Sequence, residues 1–131
     1  EGLVVWAKLD GGTPEAFRRM SRSAYSLDDI VAGIASFAAR SRITIQTMLC
    51  RADGVEPDEA ELLAYAALLG RLAAGGALID CVQLYTKARP SPEAGTEPIA
   101  DGRLAELASL VKSRIALPVR AFGAAGELAL S

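Results

Sequence analysis

The sequence predicts an α/β fold with a parallel sheet, on three observations. Apolar, β-branched segments alternate with amphipathic segments along most of the chain. Helix-start signals precede the amphipathic segments. The strand-like segments are far enough apart for the helical crossovers that parallel strands require. We therefore predict about four parallel strands in a βαβ repeat, with three to four helices over at least one face of the sheet.

The first half of the chain supplies two strands and two helices. A strand, "VVWAKLD", is followed by the short helix "TPEAFRR", in which Thr13 is the N-cap and Pro14 the first helical residue. Ser26 and Asp29 have the spacing of a capping box and begin the helix "SLDDIVAGIASFAAR". The second strand is "RITIQTMLCR". The inward stripe of the long helix comprises Leu27, Ile30, Val31, Ile34 and either Phe37 or Ala38.

The second half continues the alternation. Asp58 and Glu59 are predicted in the first turn of "AELLAYAALLGRLAAGG", which ends near Gly75. The third strand, "LIDCVQLYTK", leads into the loop "ARPSPEAGTEP". Asp101 is predicted to cap "GRLAELASLVKSRIA", and "LPVRAF" is the fourth strand. Residues 1–122 form one domain, and 123–131 a tail without an assigned element. The last helix is predicted to bury Leu104, Leu107, Ala108, Val111 and Ile115.

The composition excludes several functions. The chain has no histidine, which removes Ser-His-Asp and Cys-His catalysis and histidine-based zinc sites. A net charge of −2 provides no overall basic field and argues against nucleic acid as a partner, and no apolar run is long enough to span a membrane. Cys50 and Cys81 are interpreted as buried thiols of a cytoplasmic protein. A hydrophobic fraction of 51% indicates surface that further protein covers.

Polar residues recur toward the C-terminal ends of the predicted strands. Parallel α/β folds bind their ligands at this end of the sheet. The set contains no nucleophile–base pair and no metal-ligand cluster, so it predicts a binding surface without catalytic or metal-binding residues. The candidates are Lys8, Asp10, Gln46, Gln83 and Tyr85 on the strands, and Arg89, a possible anion clamp, in the long loop.

Each strand candidate also has a structural interpretation. Lys8 and Asp10 could satisfy one another or reach solvent. Gln46 and Gln83 could pair with each other or with loop backbone. Tyr85 could be packed half-buried with its hydroxyl in water. An adjacent Gly-Gly pair after the first strand fits a tight turn, and no phosphate-loop motif accompanies it.

Several segments, taken in order, resemble the C-terminal half of a radical S-adenosylmethionine (radical SAM) core domain. They are "VVWAKLD", "SLDDIVAGIASFAA", "ITIQTML" and "AYAALLGRLAAGGALIDCVQLYTKARP", and the likeness extends from Gly2 to about Phe122. The resemblance implies half of a partial TIM-like (β/α)6 barrel. It also implies S-adenosylmethionine and a [4Fe-4S] cluster as cofactors of a full-length parent enzyme.

Carried onto this sequence, the resemblance assigns roles to the strand-end residues. Lys8 and Asp10 would lie near the ribose of the cofactor or near the substrate, and Gln46 would lie on the adenosyl side of the cofactor. Gln83 and Tyr85 would face the substrate, and Arg89 is assigned to substrate binding with them. The chain has no CxxxCxxC motif, so it should bind no cofactor alone and should be inactive as a fragment. Expected partners are the missing N-terminal half and, through an exposed sheet face or edge, a second copy.

Two other functions fit the same residues. One is a small non-enzymatic α/β module that binds a ligand or partner at its strand ends. The other is a fragment of a different barrel enzyme, such as an aldolase-like barrel with a phosphate site. For that site, "LPVRAFG" supplies only Arg120 and Gly123.

Overall fold

A computed structural model describes residues 5–20, 25–86 and 95–131 of the chain. It contains four helices and seven strands within those ranges. In chain order they are β1 (Trp6–Lys8), α1 (Pro14–Met20), α2 (Leu27–Ala38), β2 (Ile43–Met48), β3 (Cys50–Ala52), α3 (Glu59–Ala74), β4 (Ile79–Tyr85), β5 (Thr96–Pro98), α4 (Asp101–Lys112), β6 (Val119–Gly123) and β7 (Gly126–Leu128).

The main sheet has five strands in the order β1-β2-β4-β6-β7. The first four run parallel and are neighbours in the order in which the chain makes them. This confirms the predicted α/β class and the parallel βαβ repeat. The predicted tail differs from the structure, because β7 folds back antiparallel onto β6. A three-residue strand carries too little periodicity to be read from the sequence without its partner.

A second, two-stranded sheet lies outside the main one. Its strands are β3 and β5, which pair antiparallel. The sequence predicts β3 as a continuation of β2 and places β5 inside the long loop. Asp53 and Gly54, both with positive φ, make the tight turn that follows β3.

The predicted starts of α1 and α2 are confirmed. In α2 the Ser26 side chain accepts from the Asp29 amide, and the Asp29 side chain accepts from the Ser26 amide, which completes the capping box. Thr13 Oγ1 accepts from the Ala16 amide at 3.2 Å. Two assignments shift by one residue: Asp58 is the N-cap of α3, and Asp101 is the first residue of α4 rather than its cap.

The helices pack on one face of the sheet and form a single core with it. The strand side chains on this face are almost completely buried. Of the two residues that the sequence offered for the last position of the inward stripe of α2, Ala38 is buried and Phe37 is 48% exposed. The buried strand residues on this face include Ile45, Thr47, Val82, Leu84, Val119 and Ala121.

The opposite face of the sheet is covered by no helix within the described ranges. Strand alternation and the register bring its side chains into three rows across the sheet. We call this surface the open face. Its rows are Trp6, Thr44 and Cys81; then Lys8, Gln46, Gln83 and Arg120; then Met48, Tyr85 and Phe122.

Two further expectations concern membranes and thiols. None of the described helices has the length and apolar character needed to cross a bilayer. Neither cysteine forms a disulfide: Cys50 is buried as predicted, whereas Cys81 is partly exposed on the open face. Desolvation is the main cause that raises the pKa of the Cys81 thiol, so the protonated form is favoured.

Candidate ligand-binding face

The structure brings three of the predicted site residues into one row. Lys8 is the register partner of Gln46, and Gln46 is the partner of Gln83. The fourth member of the row is Arg120 on β6, which the sequence suggested only for the alternative phosphate site and not for this row. Successive side chains of the strand "VRAFG" point to opposite faces of the sheet, so Arg120 lies on the other face from the buried Val119 and Ala121. This alternation could have identified Arg120 from the sequence. Arg89 lies outside the described residues.

Lys8 and Asp10 form an ion pair at the end of β1. Lys8 Nζ lies 3.5 Å from Asp10 Oδ2, and the two side chains are 61% and 8% exposed. The buried carboxylate also accepts a hydrogen bond from the Met48 amide at 3.2 Å. Asp10 is therefore held by the backbone of the neighbouring strand and keeps the ammonium group of Lys8 beside the open face.

Gln46 and Gln83 are half-buried and stand side by side. The two carboxamides do not bond to each other, and within the described ranges neither side chain makes a hydrogen bond to loop backbone. The mutual pairing that the sequence offered as a structural interpretation is not formed, whereas loop residues 87–94 lie outside the described ranges and leave the pairing with loop backbone as a prediction. As far as the described residues go, both side chains are available for a ligand or for water.

Tyr85 occupies the next row, beside Met48 and Phe122. Partial burial is the main cause that raises the pKa of its phenol, and the charge of Lys8 opposes that shift while Asp10 adds to it. The register places Tyr85 one row beyond Lys8 on the open face. Because its pKa is raised, the hydroxyl remains protonated at neutral pH and can donate a hydrogen bond.

Arg120 and Glu127 close the other end of the row. The guanidinium donates to Glu127 through Nε at 2.9 Å and through Nη2 at 2.7 Å. Its carbon also lies 5.4 Å from the centre of the Phe122 ring. Hydrogen bonding to Arg120 lowers the pKa of the Glu127 carboxyl. Glu127 belongs to the tail to which the sequence assigned no element.

A small cavity lies behind the end of β1, between that strand and α3. Its volume is about 20 Å³, and its lining includes Asp10, Arg19, Glu61 and Tyr65. Arg19 and Glu61 form an ion pair, while Arg19 Nε is buried and makes no hydrogen bond within the described part of the chain. This volume is enough for about one water molecule. The cavity is too small for a substrate.

Gly11 and Gly12 connect β1 to α1 and pack against backbone. A Cβ added at Gly11 would lie 2.6 Å from the Phe17 amide nitrogen, and one at Gly12 would lie 2.6 Å from the Tyr65 amide nitrogen. Neither glycine has a positive φ. The pair is therefore explained by close approach to two helices, and the sequence interpretation as a tight turn is incomplete.

The described residues contain no group of three or more side chains that could hold a metal ion. The two thiols do not provide the converging set that an iron–sulfur cluster requires, because Cys50 belongs to the small sheet and Cys81 to the main one. The residues present therefore do not fit a cluster.

Comparisons of the chain with protein-family models, with curated proteins and with solved structures gave no match. Function is therefore inferred from the geometry of the open face and from the resemblance of the sequence segments.

Proposed function

We propose that the chain is the C-terminal half of a radical SAM enzyme core, inactive alone, and that its open face lines the interior of a partial (β/α)6 barrel. The observation that carries this is the strand order. Four parallel strands follow one another without a reversal, with the described helices on one face and aligned polar side chains on the other. In barrels of this type, each strand pairs with the strand that precedes it in the chain.

The main competing architecture is a doubly wound open sheet. Such a sheet reverses its strand order and carries helices on both faces. The described strands do not reverse, and β1 occupies an edge at which a preceding barrel strand could pair. These features favour a barrel segment over a complete open sheet.

Within the proposed enzyme the chain supplies one wall of the ligand site. Lys8, Asp10 and Gln46 lie on the side proposed for the S-adenosylmethionine cofactor, and Gln83 and Tyr85 on the side proposed for the substrate. The wall can orient a ligand by hydrogen bonds and shield it from water. The [4Fe-4S] cluster does not fit the residues present, so it belongs to the N-terminal half in this proposal. The two unoxidised thiols agree with a cytoplasmic location.

The test is anaerobic expression of the longest open reading frame that contains this chain. The proposal requires a CxxxCxxC motif upstream, iron bound in the purified protein and release of 5′-deoxyadenosine on reduction with S-adenosylmethionine. Asp10→Asn should lower that release, because the carboxylate that holds Lys8 is lost. A reading frame without the cysteine motif would contradict the proposal and favour a non-enzymatic binding module.

If the open face is a barrel interior, the chain alone should self-associate through it. Trp6 is 49% exposed on that face, beside the edge of β1. We expect sedimentation velocity to show concentration-dependent association that Trp6→Glu weakens about tenfold or more, since it buries a charge in the contact. Phe37→Glu is the matched control, because Phe37 is equally exposed on the helical layer. A wild-type chain that stays monomeric across concentrations would exclude the association.

A further inference from the structure

The two glutamines are the only carboxamide side chains of the chain. Among its 131 residues there is no asparagine, and glutamine occurs only at positions 46 and 83. In the structure the two are direct register partners on adjacent parallel strands. Adjacent strands lie roughly 4.8 Å apart, so both carboxamides project from the same face as neighbours.

The pair has unused hydrogen-bonding capacity in a partly buried position. Each carboxamide has two N–H donors and one acceptor oxygen. Neither makes a hydrogen bond within the described ranges, although both are half-buried. Neither carboxamide has a fully buried atom without a partner among the described residues, so water reaches both, and a ligand that displaces this water must replace its hydrogen bonds. An amide-like ligand edge would satisfy a donor and an acceptor of the pair together.

The charges on either side of the pair are already neutralised. Lys8 is paired with Asp10 at one end of the row, and Arg120 donates two hydrogen bonds to Glu127 at the other. An anionic ligand would have to compete with these carboxylates. The row therefore offers little net attraction for phosphate or carboxylate.

The neighbouring row supplies flat apolar surface. Met48 and Tyr85 are the register partners two residues beyond the glutamines, and Phe122 continues the row onto β6. Thioether and aromatic side chains make favourable contact with planar groups. A ring whose polar edge reached the glutamines would lie against these side chains.

We propose that Gln46 and Gln83 together bind an uncharged, planar ligand group with an adjacent hydrogen-bond donor and acceptor, as in a cyclic amide. The inference rests on the proposed function only in naming this group as part of the substrate. It assigns both glutamines to the substrate and so replaces the cofactor-side role that the proposed function gives to Gln46.

The test is titration of the ¹⁵N-labelled chain with uracil, which carries such an edge. The wild-type side-chain amide region should contain two pairs of signals, and Gln46→Leu and Gln83→Leu assign them. The Trp6→Glu background keeps a second copy from covering the face. Glu59→Gln adds an exposed carboxamide at the start of α3 as an internal control, since Glu59 is exposed there.

We expect uracil to shift both glutamine signals saturably and to leave the control signal unchanged. 1,3-Dimethyluracil, which lacks the N–H donors, should bind about tenfold more weakly, as should uracil with either leucine variant. Acetate and inorganic phosphate should not shift the pair. Unmoved glutamine signals, equal binding of dimethyluracil, or stronger binding of the anions would each overturn the proposal. The titration needs neither iron nor S-adenosylmethionine, so its failure is separate from failure of the radical SAM proposal.

Discussion

Replacing Gly12 by alanine should destabilise the chain by about 3 kcal/mol, at the upper end of what overpacking usually costs. The added Cβ would lie 2.6 Å from the amide nitrogen and 2.9 Å from the Cβ of Tyr65. These atoms belong to the middle of α3 and cannot move aside as a flexible side chain would. The connection between β1 and α1 would have to shift away, and Asp10 would shift with it.

Gly70→Ala is the matched control for this substitution. Gly70 lies in α3 five residues after Tyr65, and a Cβ added there meets nothing within 4 Å. Alanine is the better helix former, so this variant should be more stable by about 1 kcal/mol. Urea unfolding monitored by circular dichroism measures both. Equal effects of the two substitutions would show that Gly12 is not closely packed against α3.

The local signals in the sequence predict the parallel part of the fold well. Ser26 with Asp29 begins α2 and Gly75 ends α3 because capping depends on neighbouring residues alone. Alternation on β1 also places Trp6 and Lys8 on the same face, as the structure has them. Such features require no knowledge of the rest of the chain.

Features that depend on distant partners were not predictable in the same way. The strand β7 is recognisable only when paired with β6, and the ion pair of Arg120 with Glu127 depends on that pairing. The close packing of Gly12 depends on Tyr65, which is distant in the sequence. The candidate row was predictable in part, because strand ends identify Lys8, Gln46 and Gln83, but only the register shows that they are neighbours.

Thr47→Val should lower the free energy of unfolding by about 3 kcal/mol, although the two side chains have nearly the same shape. Thr47 is buried on β2, where its hydroxyl donates to the Leu9 carbonyl at 2.6 Å and lies 2.5 Å from the Tyr65 hydroxyl. Since the Thr47 proton goes to Leu9, Tyr65 is the donor of the second bond. Valine therefore leaves both a carbonyl and a phenol buried without these partners.

Thr47→Ser keeps the hydroxyl and should cost only about 1 kcal/mol, the value of one buried methyl group. Tyr65→Phe should also cost about 1 kcal/mol, because Thr47 can still donate to Leu9. The double variant Thr47→Val with Tyr65→Phe no longer has an unpaired phenol. The double variant should therefore lose about 1 kcal/mol less free energy of unfolding than the two single variants lose together.

This double-mutant cycle connects the core to the candidate site. Leu9 lies between Lys8 and Asp10, and its own amide donates to the Gln46 carbonyl at 2.9 Å. The Tyr65–Thr47–Leu9 chain of hydrogen bonds therefore fixes the end of β1 against β2, where the row of polar side chains begins. Strictly additive losses, measured by urea unfolding, would mean that the three groups act independently and that the end of β1 is held by packing alone.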